Sequence, residues 1–124
     1  MEEQKPNAIN WFEIPAADFN RAVKFYSEIL QADLSVNKMG NLDMGFFAGG
    51  GVSGAVVAGE GYKPSADGTM VYLNCGNDLT DVLNRIEPAG GKVIMPKTEI
   101  TPEYGHCAVF IDSEGNKMAL HSQN

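Results

Sequence analysis

Glu13 sits in the run Trp11-Phe12-Glu13-Ile14-Pro15, a carboxylate flanked by bulky apolar residues. Alternate residues of a strand share a face, so if Phe12 and Ile14 pack inward, Trp11 and Glu13 point together to the opposite side. A carboxylate held in apolar surroundings can act as a general acid or base, and an indole beside it can hold a flat or apolar ligand. The chain has two histidines. His106 alternates with Ala108 and Phe110 in HCAVFI and reads as a structural residue at a strand end, whereas His121 lies near the end of the chain. Tyr72 and Asn74 alternate on a third apolar run and face either a pocket or a helix, depending on a one-residue ambiguity of register. The segment KTEITPEY, Lys97 to Tyr104, reads as a loop offering Lys97, Glu99 and Tyr104 as polar contacts at a pocket mouth. Gly49 to Gly51 is no phosphate cradle, because neither a helix start nor a Lys-Ser/Thr pair follows it; it reads as a hairpin.

The elements that must position these residues repeat. Ile9 to Ile14 reads as a strand closed by Pro15, and Asp18 as the N-cap of a helix with Phe19, Ala22, Val23, Tyr26, Ile29 and Leu30 on one side. Three short runs follow, Leu34 to Val36, Met44 to Phe47 and Val52 to Ala58, which read as a meander. A shift of sixty residues sets Asp18 on Asp78, Ala22 on Val82, Val23 on Leu83 and Tyr26 on Ile86, so the unit occurs twice. The second copy has a strand at Met70 to Cys75 and a helix capped by Asp78 or Thr80 that stops near Pro88. Strands near Lys92 to Met95, His106 to Ile111 and Lys117 to His121 complete it, with Asp112 to Asn116 as the last hairpin turn. The layout is βαβββ twice: module one about 8–58, a connection 59–68 and module two about 69–122, in a single domain of 124 residues. Each module leaves one sheet face bare, and the two bare faces are expected to meet around a shared concave surface that holds a small ligand.

Composition narrows the function classes. A net charge of −7 and nine scattered Lys and Arg residues argue against nucleic acid. No segment combines a basic with a strongly apolar face, and no apolar run approaches a bilayer's width, so no membrane partner is expected. The N-terminus lacks the pattern of a signal peptide, which leads to the expectation of a cytoplasmic protein. Cys75 and Cys107 lie in apolar runs without CxxC spacing and read as free buried thiols.

The strand and helix WFEIPAADFNRAVKFYSEIL, the segment AGGKVIMPKTEI and the turn DSEGNKMAL together resemble the vicinal-oxygen-chelate superfamily, which includes glyoxalase I, extradiol dioxygenases and bleomycin-resistance proteins. The likeness covers nearly the whole chain and is nearest to a bacterial glyoxalase-related group of unassigned substrate. It implies a glyoxalase-like α+β fold, two βαβββ modules forming a curved mixed sheet around a concave pocket, and a homodimer. The superfamily's metal enzymes bind a divalent ion through His, Glu or Gln at positions that fall here on Trp11, Ala58, Val71 (or Met70 if Gly76 to Asp78 carries an extra residue) and Ala119. None of these side chains ligates such an ion, so no cofactor is expected. His121, two residues beyond Ala119, shares its sheet face and becomes a pocket candidate. Glu13, Glu60 and His121 each stand two residues past an emptied position, which raises a displaced metal site as the alternative. The sequence therefore leads to a small organic ligand held by Trp11, Glu13, Tyr72, Asn74, Tyr104 and His121, with Glu13 as the candidate acid or base. A drug-sequestering, bleomycin-resistance-like module or a dimeric structural module is the non-catalytic alternative.

Overall fold

The structure is a computed structural model and describes residues 7–124. The first strand, β1, is Trp11–Pro15, and the first helix, α1, is Phe19–Leu30. The Asp18 carboxylate accepts from Arg21 N at 3.1 Å, satisfying one of the free N–H groups of the first turn. Gln31, in the left-handed conformation with φ 52°, ends the helix. The strands β2 (Ser35–Met39), β3 (Leu42–Phe46) and β4 (Ser53–Ala58) form the antiparallel meander read from the sequence, and β4 closes on β1 in parallel, giving the order β1-β4-β3-β2. Gly54 is required at the β1–β4 contact, where a Cβ would overlap the carbonyl and ring of Phe12.

Module two repeats the plan. It comprises β5 (Tyr72–Asn74), α2 (Thr80–Ile86), β6 (Lys92–Thr101), β7 (Gly105–Ile111) and β8 (Lys117–Ser122), in the order β5-β8-β7-β6 with β5 and β8 parallel. The fold is thus α+β, two mixed four-stranded sheets and two helices, as the residues and the resemblance implied. The N-cap of α2 is Leu79, which makes no side-chain capping bond, and not Asp78 or Thr80 as expected: the Asp78 carboxylate stands one residue earlier, accepting from Thr80 N at 2.9 Å and Thr80 Oγ1 at 2.6 Å, and the helix stops at Ile86, ahead of Pro88.

One further expectation is corrected. Lys97 to Tyr104 is not a loop, because β6 runs on to Thr101 and only the tip before Gly105 turns. Pro96 is accommodated because it lies in an edge strand between register shifts, where its missing N–H removes no ladder bond. One core joins the halves on the helix side of both sheets, gathering Ile14 and Val56, Phe25, Tyr26 and Ile29 of α1, and Leu73, Phe110 and Leu120 of module two. Phe25, absent from the expected apolar stripe, is buried against Tyr26 at 4.9 Å and Phe110 at 6.1 Å between ring centroids. The buried face of α1 is wide because it covers its own sheet and also seals the module junction.

The last hairpin turn latches the junction. Glu114 Oε1 accepts from the backbone N–H of Ala17 (2.9 Å) and Asp18 (2.7 Å), at the start of α1, while Oε2 pairs with Arg21 Nε at 2.6 Å. Tyr26 donates to the buried Asp112 Oδ2 at 2.7 Å, and Asn116 Nδ2 donates to Pro15 O at 2.7 Å. Burial, together with the Asp112 carboxylate, pushes the Tyr26 phenol well above its ordinary range. Arg85 of α2 satisfies the carbonyl of Ile29 at 2.9 Å.

Candidate functional site

Burial of Phe12 and Ile14 against the core turns Trp11 and Glu13 to the bare face of the first sheet, as alternation requires. The floor there is apolar: Met44, Ala55 and Val57 are buried, with Leu42, Phe46 and Tyr62 packed against them. Trp11 lies against Phe46, with ring centroids 5.9 Å apart and planes inclined at 54°, and is 43% exposed.

The Glu13 carboxylate is exposed rather than desolvated, and it is held at both oxygens. Tyr62 donates its hydroxyl to Oε1 at 2.7 Å, and Trp11 Nε1 approaches Oε2 at 3.4 Å. Tyr62 reaches this position because the connection folds back at Gly59 and Gly61, with Tyr62 N donating to Gly59 O at 3.1 Å. Gly61, at φ +90°, takes a conformation that side-chain-bearing residues avoid. The hydrogen bond to Glu13 is the main cause that raises the Tyr62 phenol above its usual value of 10.0, since losing the proton would set two negative charges together. The remaining lone pairs of Glu13 can accept from a ligand N–H or take up a proton, and a cation beside them would also meet the indole face.

A cleft of about 270 Å³ opens beside Glu13 at the seam of the modules, lined among others by Lys63, Ser65, Thr69, Val71 and Lys117. A shallower hollow of about 700 Å³ lies at the other end of β1, around Asn10, Trp11 and Val52.

The second sheet carries the other sequence candidates. Leu73 is buried and Val71 packs on the core, so Tyr72 and Asn74 turn to the bare face and not to the helix. Asn74 pairs with His121 across β5 and β8, and His121 with Cys107 across β8 and β7. His121 Nε2 lies 2.6 Å from Tyr104 O; a carbonyl only accepts, so Nε2 carries the hydrogen. Tyr104 itself is exposed at the hairpin tip, Asn74 Oδ1 accepts from Gly76 N at 2.9 Å, and Lys97 is engaged with Asp78 at 3.0 Å. No hydrogen bond among the described residues joins this group to Trp11 and Glu13. His106 faces the core side of its strand, and its Nδ1 is buried without a hydrogen-bond partner. Both cysteines are free, and burial is the chief cause that raises the Cys75 thiol.

The metal site implied by the resemblance does not fit these residues. Trp11, Met70 and Ala119 occupy the bare face, Ala58 packs toward the core, and its bare-face neighbours are Val57 and Gly59. None offers a donor for a divalent ion. Glu13, Glu60 and His121 are not gathered, since among the described residues no three His, Cys, Asp or Glu side chains converge on a metal-sized site. Sequence reasoning passed over Tyr62, which lies in the connection, and Phe46 and Lys117. The available signals were Tyr62 as the single aromatic residue of GEGYKPSADG and the alternation of Leu42, Met44 and Phe46 along β3.

Residues 8–120 match the sequence model of the Glyoxalase/Bleomycin resistance protein/Dioxygenase superfamily. A glyoxylase-like domain-containing protein from Didymella fabae is 26% identical over 117 residues, covering 90% of this chain and 91% of that one. The crystal structure of a glyoxalase/bleomycin resistance protein from Albidiferax ferrireducens superposes with a TM-score of 0.77 at 14% identity, covering 95% of this chain and 100% of that chain. An antibiotic binding protein from a Streptomyces species superposes with a TM-score of 0.67 at 22% identity, covering 98% of this chain and 100% of that chain. No helix among the described residues is long and apolar enough to cross a membrane.

Proposed function

The chain belongs to the Glyoxalase/Bleomycin resistance protein/Dioxygenase superfamily, and from that premise we propose that it binds a small organic molecule on the bare face of its first sheet, without the superfamily's metal. The observation that carries this reading is the Glu13 carboxylate held between Tyr62 and Trp11 above an apolar floor. An aromatic or apolar body rests on Trp11 and Phe46, and a cationic or N–H donor group meets Glu13, in an arrangement that the overall charge of −7 favours. A structural neighbour that binds an antibiotic supports a sequestering role on this fold.

Trp11 is the chain's one tryptophan, so its emission reports directly on the site. Titration with small aromatic amines is expected to give saturable quenching, weakened about tenfold in Glu13→Gln, the loss of one moderate charge contact. Absence of quenching across such a series overturns the reading.

The 2.7 Å bond from Tyr62 to Glu13 favours a second reading, in which the oriented carboxylate moves a proton of the bound molecule. Exchange of carbon-bound hydrogen for deuterium in the bound compound, abolished in Glu13→Gln, would establish it; no exchange would leave a binding protein. The exposed Trp11, Met39 and Tyr72 on the bare faces support a homodimer in which a second copy covers them, testable by light scattering.

A further inference from the structure

The seam cleft beside Glu13 carries charge that the bare face of the first sheet does not use. Lys63 and Lys117 line it together with Glu13, so the charged lining is two ammonium groups and one carboxylate, in a chain where sixteen acidic residues outnumber nine basic ones. Lysine stems are flexible, and a lysine able to reach Glu13 would be drawn onto it. Yet the ion pairs among the described residues are Arg21 with Glu114, Lys38 with Asp43 and Lys97 with Asp78; neither cleft lysine has a carboxylate of a described residue within 4.0 Å. Opposite charges therefore stand apart on one concave surface, each with free hydrogen-bonding capacity facing solvent. The cleft, at about 270 Å³, is below the usual range for a whole ligand, roughly 300–1,000 Å³, and suits a polar head whose body lies outside on Trp11 and Phe46.

We infer that the ligand is an organic zwitterion, an apolar or aromatic body bearing a protonated amine that meets Glu13 and a carboxylate that enters the cleft between Lys63 and Lys117. The inference rests on the binding function proposed above and adds the second charge. A bare cation leaves the lysines unanswered, and a bare anion meets Glu13 at close range. The zwitterion is neutral overall and complements both.

The test is Trp11 fluorescence titration of the full chain with L-phenylalanine, L-phenylalaninamide, phenethylamine and 3-phenylpropionate, on the wild type, on Glu13→Gln and on the double variant Lys63→Gln/Lys117→Gln. Lys63 and Lys117 are exposed, so the double variant is expected to keep its fold, checked by circular dichroism. Phenylalanine is expected to bind the wild type at least tenfold more tightly than the three analogues. The double variant should bind phenylalanine and its amide alike, and Glu13→Gln should bind phenylalanine and phenylpropionate alike. If phenethylamine binds the wild type as tightly as phenylalanine, and the lysine substitutions change nothing, the zwitterion is overturned while the site on Trp11 and Glu13 stands. If none of the four quenches Trp11 saturably, both are overturned.

Discussion

Glu114→Ala tests whether the last hairpin turn holds the two modules together. The Glu114 side chain has no exposed surface and accepts from two backbone N–H groups, Ala17 at 2.9 Å and Asp18 at 2.7 Å, as well as from Arg21 and Ser113. A hydrogen bond to a charged group contributes about 1.5–3 kcal/mol, and the two N–H groups at the entry to α1 lose their acceptor together, so the expected loss is about 3–4 kcal/mol. At this chain length that corresponds to a fall in Tm of about 12 °C. Arg21→Met removes the guanidinium, which is 54% exposed and screened by solvent, and is expected to lower Tm far less than Glu114→Ala does. Burial pushes the Glu114 carboxyl up, but the bonds from Arg21, Asp18 N and Ser113 outweigh it and hold it below its ordinary 4.5. A carboxylate with a depressed folded value stabilises fully above the unfolded value and loses that contribution as pH falls through the folded one. The stability gap between wild type and Glu114→Ala, measured by urea unfolding, is therefore widest above about pH 4.5 and narrows on further acidification. Equal costs for Glu114→Ala and Arg21→Met, or a gap that does not change with pH, would refute the reasoning and reduce the latch to a surface ion pair.

Three further outcomes are expected. Gly54→Ala places a Cβ against the Phe12 carbonyl and ring and should cost about 3 kcal/mol in urea unfolding, because backbone rather than a flexible side chain must give way. The Tyr62 phenol should titrate above 10.0 and move back down in Glu13→Gln, read by ultraviolet difference titration against Tyr62→Phe. Zinc, nickel, manganese and iron(II) should leave Tm unchanged, since the bare-face positions lack donor side chains; a stoichiometric ion with a clear rise in Tm would refute that.

What the sequence determined by itself is local and periodic. Asp18, with the apolar positions Ala22, Tyr26 and Ile29, defines α1, because capping and a 3.6-residue stripe act within a few turns. The alternation of Trp11 and Glu13 with Phe12 and Ile14 assigned the bare face before any coordinate, since a strand's period of two admits only two faces. The sixty-residue repeat and the DSEGN turn were readable for the same reason. Tertiary structure decided everything that depends on which surfaces meet. Phe25 fell off the expected stripe because module two, not the α1 sheet, buries it, and Pro96 broke nothing because β6 is an edge. Tyr62 came to Glu13 from 49 residues away, and Glu114 to the start of α1 from 96, distances in sequence that no periodicity spans. Such pairings arise when helix-side apolar surfaces coalesce into one core, because burial drives surfaces together without regard to chain order and carries the polar groups at their margins into reach of one another.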